Sequence, residues 1–217
     1  MVDRPKPYIS SRKSPKQARS NVLVSTILEA AIRVLAEEGA QRFTTARVAA
    51  RAGVSVGSLY QYFPNKASIL FRLQSDEWKQ TTEQWRMILS DSSSPPLARL
   101  RHLVDTFIRS EFDEAPLRVA LDDAAPLYRD APEAQEIHDE GDRIIEAFMR
   151  EVLPNSSEKV RQLSGELITM TITSVGKELS ETSRTNAEIE AFVDQMSDML
   201  CAYLQNVEGR TSMRKIV

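Results

Sequence analysis

The sequence is poor in cysteine, histidine and glycine, and each scarcity closes off a class of protein. A single cysteine, Cys201, leaves no intrachain disulfide and no thiolate zinc cluster, which suits a reducing compartment, and its small apolar thiol is expected to be buried. Only two histidines occur, His102 and His138. Asp139 and Asp142 follow His138 closely, but neither histidine sits in a metal-ligand spacing, so no metal and no cofactor is expected. The seven glycines form no phosphate-cradling loop, no dinucleotide turn and no nucleophile elbow, and no zincin helix motif occurs, so no catalytic residue is expected either. No apolar run approaches the roughly 20 residues that span a bilayer, and the first residues lack the apolar core of a secretory leader; the expected location is the cytoplasm, off the membrane.

What is present is charge, unevenly placed. The chain of 217 residues has a net charge of −3, yet residues 1–66 hold 11 basic against four acidic residues, a net +7, and the remainder carries −10. A basic head on an acidic body is what a polyanion partner requires, because neutralising phosphates and releasing counterions supplies most sequence-independent affinity for DNA. Residues 1–19, rich in Pro, Ser, Lys and Arg, read as a disordered basic arm.

Beyond the arm nearly every segment between breakers has helical periodicity, which predicts an all-α fold. Leu23, Ile27, Ala31, Val34 and Leu35 mark one face of a first helix, ended by Gly39 as a left-handed cap. Thr44 caps a second helix through Arg51, Ala52-Gly53-Val54-Ser55 makes a tight turn, and Ser55 caps a third helix through Tyr62. Val48, Val54, Leu59 and Phe63 are the expected apolar core beneath. Lys66 opens a stretch without Gly or Pro to about Ser90, roughly 37 Å long at 1.5 Å per residue, expected to carry a ligand signal to DNA as a rigid lever.

The informative unit is residues 44–66, a helix, a glycine turn and a second short helix inside the basic head. Ser55, Val56, Gly57 and Ser58 strip bulk from the start of the third helix, so backbone can approach a phosphate or base edge closely. Gln61 has the donor and acceptor that pair with adenine, and Tyr60 offers a hydroxyl to phosphate and a ring to a thymine methyl. Tyr62 either joins this surface or staples the helix to the next domain.

The run Thr44, Val48, Ala49, Ala52-Gly53-Val54-Ser55, Gly57-Ser58-Leu59-Tyr60, Tyr62-Phe63 and Lys66 resembles the DNA-binding signature of the TetR family, and with the first helix the likeness covers about residues 22–70. The resemblance implies a three-helix N-terminal DNA-binding domain with a helix-turn-helix (residues 20–66) and a C-terminal helical ligand-binding and dimerisation domain (67–217). It implies a homodimer that represses from a palindromic double-stranded operator and is released by a small molecule. Carried over by position, Thr45, Ser58, Tyr60 and Lys66 match positions that hold phosphates, while Val56, Gly57 and Gln61 match positions that face bases. Ala46 stands where some relatives have a longer base-reading side chain, which shifts more of the reading to the third helix and the arm. The same features without a DNA role would describe a helical protein-interaction adaptor.

The C-terminal part carries no motif that names a ligand. A cavity is expected among the middle helices, with Trp78, Trp85, Phe107, Phe112, Tyr128 and Phe148 as apolar lining and Asp122 as a polar anchor, although a solvated helix face accounts for Asp122 equally well. In the last helix Ile189, Phe192, Val193, Met196, Leu200, Tyr203, Leu204 and Val207 form a long stripe, and the helix before it is apolar on more than one side. Together these two helices are the expected dimer interface.

Overall fold

A computed structural model describes residues 18–125 and 132–214, and every regular element among them is a helix, so the all-α expectation holds. Residues 1–17 of the expected basic arm and Tyr128 lie outside the described residues, as do the side chains of Asp122 and His138, while Ala18 and Arg19, expected in the arm, begin the first helix. The described chain forms two compact units. One contains the residues up to Gln80 together with 116–137, and the other contains 81–115 and 138 onward.

In the first unit α1 (Ala18–Arg42) buries Val24, Ile27, Ala31, Val34 and Leu35, which recur at three- and four-residue steps. Gly39 interrupts it with φ 74 and ψ 169. The positive φ was expected, but this is not the left-handed cap: that ψ lies in a region essentially reserved to glycine, so the backbone is redirected rather than capped. The turn delivers Phe43, 1% exposed, into the core, where full burial of such a ring contributes about 1.5–3 kcal/mol. Next come α2 (Thr45–Ala52) and α3 (Val56–Tyr60), with Val48, Ala49, Leu59 and Phe63 buried against α1. The third helix is two residues shorter than expected, because the chain turns at Gln61 and Tyr62.

The helix α4 (Lys66–Leu89) starts at an Asn65 cap whose Oδ1 accepts the Ser68 N–H at 2.9 Å. It is the unbroken helix expected from its lack of Gly and Pro, but its first half is no free rod. Ala67 through Phe71 and Leu73 through Ser75 are all buried in the first unit. The expected domain boundary at Lys66 therefore does not coincide with the division between units, which falls inside α4 after Gln80. Nor does the first unit end with α4. The helix α6 (Ala115–Ala124) adds Ala120 and Leu121 to the same core. Arg118 Nη1 lies 2.9 Å from Glu77 Oε1, and Gln74 Nε2 donates to Glu77 Oε2 at 3.0 Å, so one carboxylate ties two α4 positions to α6.

The second unit packs the end of α4 with α5 (Pro96–Asp113), the part of α7 (Pro132–Val152) from residue 138 on, α8 (Glu158–Ser180) and α9 (Asn186–Arg214). Two glycines let α8 approach its neighbours. A Cβ on Gly165 would fall 2.7 Å from Ile145 Cγ2, and one on Gly176 would fall 3.0 Å from Phe107 Cε1. Cys201 is buried as expected, and burial pushes its thiol pKa up. The arginine Arg99 is also buried; it donates to the Leu89 carbonyl, pairs with Glu151 and lies over the Phe148 ring at 5.7 Å from the centroid. The stripe on α9 needs correction. Ile189, Val193, Met196, Leu200 and Leu204 are buried in the chain's own core, with Phe192, Tyr203 and Val207 partly buried beside them. Among the described side chains, the large apolar residues left exposed on these two helices are Leu163, Leu167 and Met170 of α8 and Met199 of α9.

Candidate nucleic-acid interface

Local chemistry sets the helix-turn-helix. The Thr44 hydroxyl accepts the Arg47 N–H at 3.3 Å and starts α2. Gly53 ends it in the left-handed conformation, φ 67 and ψ 28, with its N–H directed to the Ala49 and Ala50 carbonyls. Two residues on, Ser55 caps α3: its Oγ accepts the Ser58 N–H at 3.0 Å and meets the Ser58 hydroxyl at 2.8 Å. Thr44, Ser55 and Ser58 thus already spend hydroxyl capacity on the motif itself.

The other expected contact residues divide by exposure. Val56 and Tyr60 are 39% and 40% exposed, and Gly57, Gln61 and Lys66 are exposed as well. Thr45 and Tyr60 are brought together: their hydroxyl oxygens lie 3.1 Å apart, joining the first residue of α2 to the last of α3. Tyr62 is half-buried against the first unit's own core. On α2, Ala50 faces solvent and Ala49 is fully buried.

Two acidic residues outside the motif shape its electrostatics. Glu38 pairs with Arg47 and Glu37 pairs with Arg51, so the end of α1 neutralises both guanidinium groups of α2. Glu38 also approaches Arg42 at 3.9 Å. Pairs this exposed contribute at most about 1 kcal/mol each, yet they set which cations are free on this face. Nothing local signals them, since Glu37 and Arg51 stand 14 positions apart.

Of the residues expected around a ligand, four share one core and a fifth belongs to the other unit. Trp78 packs with the first unit's core, whereas Trp85, Phe107 and Phe148 are buried core residues of the second, with Phe112 partly buried beside them. Trp85 and Phe107 meet edge to face, centroids 5.7 Å apart. The described grooves of the second unit lie elsewhere. One of about 570 Å³ runs between α7 and α8 past Asp142, Glu146, Arg161 and Gly165. Another of about 320 Å³ runs past Met87, Asp91, Arg99 and His102; there the Ser93 hydroxyl and N–H hold the Asp91 carboxyl below the usual carboxylate range. Neither is lined by any expected ligand residue. Among the described residues no group of three or more His, Cys, Asp or Glu side chains is placed to hold a metal ion, and no helix is long and apolar enough to cross a membrane.

Comparison with known proteins agrees with this architecture. Residues 27–73 match the family model for bacterial regulatory proteins of the tetR family, and residues 95–207 match that of the tetracyclin repressor-like C-terminal domain. The fatty acid metabolism regulator protein of Bacillus subtilis is 38% identical over 58 residues, covering 27% of this chain and 30% of that protein. The HTH-type transcriptional repressor KstR of Rhodococcus jostii is 26% identical over 152 residues, 68% of this chain and 67% of that protein. The chain therefore spans under a third of the Bacillus relative that it matches. Among solved structures, the transcriptional regulator FadR from Bacillus subtilis in complex with stearoyl-CoA superimposes with a TM-score of 0.66 at 19% identity, covering 82% of this chain and 97% of that one, a likeness of fold. Because the C-terminal model by itself takes in more than half of the 217 residues and the N-terminal model falls on the helix-turn-helix, the chain belongs to the TetR family of bacterial regulatory proteins.

Proposed function

We propose that the chain is a cytoplasmic, ligand-responsive transcriptional repressor that binds a palindromic operator as a homodimer and leaves it when a small molecule enters the second unit. The observation that carries this reading is the α2–α3 surface. Its caps and core are satisfied internally, yet Val56, Tyr60, Gln61 and Lys66 remain exposed on a head of net positive charge. Thr45, Tyr60 and Lys66 are assigned to phosphates, and Val56, Gly57 and Gln61 to base edges.

The dimer is assigned to the outer face of α8. Leu163, Leu167 and Met170 follow i, i+4, i+7 spacing and are about half exposed, as is Met199 of α9. Water-facing apolar stripes of this kind mark interfaces. For the ligand, stearoyl-CoA is the first probe, because the FadR structure from Bacillus subtilis holds it. Trp85, Phe107 and Phe148 pack together in the apolar core of the second unit, so an acyl chain would have to open space among them.

Fluorescence anisotropy with labelled duplexes, at several salt concentrations, tests the reading. Affinity should fall steeply with salt, roughly as the power of the number of phosphates neutralised. A folded dimer without salt-dependent duplex binding would return the chain to the adaptor class.

A further inference from the structure

The chemistry that reads a G·C pair in the major groove is narrow: arginine or lysine donating to guanine O6 and N7, or a carboxylate accepting from the cytosine amino group. Residues 52–65, which hold the turn, α3 and the approach to α4, contain no charged side chain of either sign. The two guanidinium groups of α2 lie against the end of α1, Arg47 paired with Glu38 and Arg51 with Glu37, and a guanine contact by either would have to break that pair. The Ser55 and Ser58 hydroxyls are spent on each other and on the cap, and that of Tyr60 meets Thr45. What remains for base edges is one exposed amide, Gln61, and small apolar surfaces, Val56 on α3 and Ala46 on α2. An amide matches the N6 and N7 edge of adenine, and a methyl or isopropyl group matches the C5 methyl of thymine.

Granted the DNA-binding function proposed above, we infer that the α2–α3 surface reads A·T pairs and makes no guanine contact. Gln61 selects an adenine, and Val56, with Ala46, selects thymines by their methyl groups. Specificity in this half-site comes from one bidentate hydrogen-bonded pair and from shape-matched apolar contact, while the phosphates supply affinity without choosing sequence.

The test uses the full-length protein to enrich duplexes from a randomised pool, and then rebuilds the enriched site with single base analogues. Uracil for thymine removes only the C5 methyl; 7-deazaguanine for guanine removes only the N7 acceptor. A·T pairs should be enriched under α3. Uracil at the thymine facing Val56 should weaken binding about fourfold, the worth of one buried methyl-sized group, and Val56→Ala should shrink that penalty. Gln61→Ala should relax the preference at one A·T pair by about fivefold or more. Substitution with 7-deazaguanine within the half-site should leave affinity unchanged. An enriched half-site in which 7-deazaguanine weakens binding while uracil is tolerated overturns the A·T reading and leaves the DNA-binding function standing. A protein that is folded by circular dichroism but enriches no duplex overturns both.

Discussion

The hydroxyl oxygens of Thr45 and Tyr60, 3.1 Å apart, connect the start of α2 to the end of α3 without using the apolar core. Both groups are solvent-accessible, so the bond contributes little to folding, at the low end of about 0.5–1.5 kcal/mol. Its weight falls on DNA. Thr45→Val and Tyr60→Phe should each leave the urea midpoint nearly unmoved and weaken binding to every duplex about three- to tenfold. Because the lost contacts are uncharged, the salt dependence should keep its slope. Sequence-selective loss in either variant would remove the residue from the phosphate set.

The two glycines with positive φ should respond differently to the same substitution. Gly53, at φ 67 and ψ 28, has a conformation that asparagine visits, so Gly53→Asn should cost about 1 kcal/mol or less. Gly39, at φ 74 and ψ 169, does not, and Gly39→Asn should cost about 1–3 kcal/mol although nothing stands near its absent Cβ. Chemical denaturation of the two variants makes the comparison.

Glycines inside helices divide by what surrounds them. Gly165→Ala places a methyl against Ile145 and Met149, and Gly176→Ala places one against Phe107, Glu111 and Ile108. Each should destabilise by about 1–3 kcal/mol. Gly141 in α7 has nothing within 4 Å, so Gly141→Ala should stabilise by about 0.4–1 kcal/mol. A stabilising Gly176→Ala, seen as a raised midpoint, would mean that α5 and α8 yield at that contact.

At the start of α9, Thr185 and Glu188 cap one another: Glu188 Oε2 accepts the Thr185 N–H and hydroxyl, each at 2.8 Å, and the Thr185 hydroxyl accepts the Glu188 N–H at 3.3 Å. The Thr185 N–H, followed by its hydroxyl, holds the Glu188 carboxyl below the ordinary glutamate range. A depressed folded pKa gives stability that is complete above the unfolded value and fades as pH falls through the folded one. Wild type should therefore lose more stability than Glu188→Gln in the acid range below the ordinary glutamate pKa, and the two should run parallel at neutral pH. Midpoints measured across that range decide it.

What the sequence made legible was what neighbouring residues decide among themselves. Thr44 and Ser55 specify caps through hydroxyls that accept a backbone N–H three positions on, and Gly53 a turn through one backbone angle, and the structure places them accordingly. Partners distant along the chain were not legible. The α9 stripe announced a covered face, but periodicity does not distinguish cover by the same chain from cover by a second copy. The described aromatic residues expected around one ligand belong to two cores, because a buried tryptophan looks the same in sequence whether it lines a cavity or fills one. Buried Arg99 went unseen for a related reason: its partners Leu89 and Glu151 lie 10 and 52 positions away.

The division of labour within α3 also bears on how such a regulator changes allegiance. Leu59 alone of its five residues is buried, while Val56 and the adjoining Gln61 project into solvent. Substitutions at these outer positions leave the core beneath untouched. On the base-reading role proposed for them, a copied gene can drift to a new set of promoters one residue at a time, with every intermediate still a folded protein.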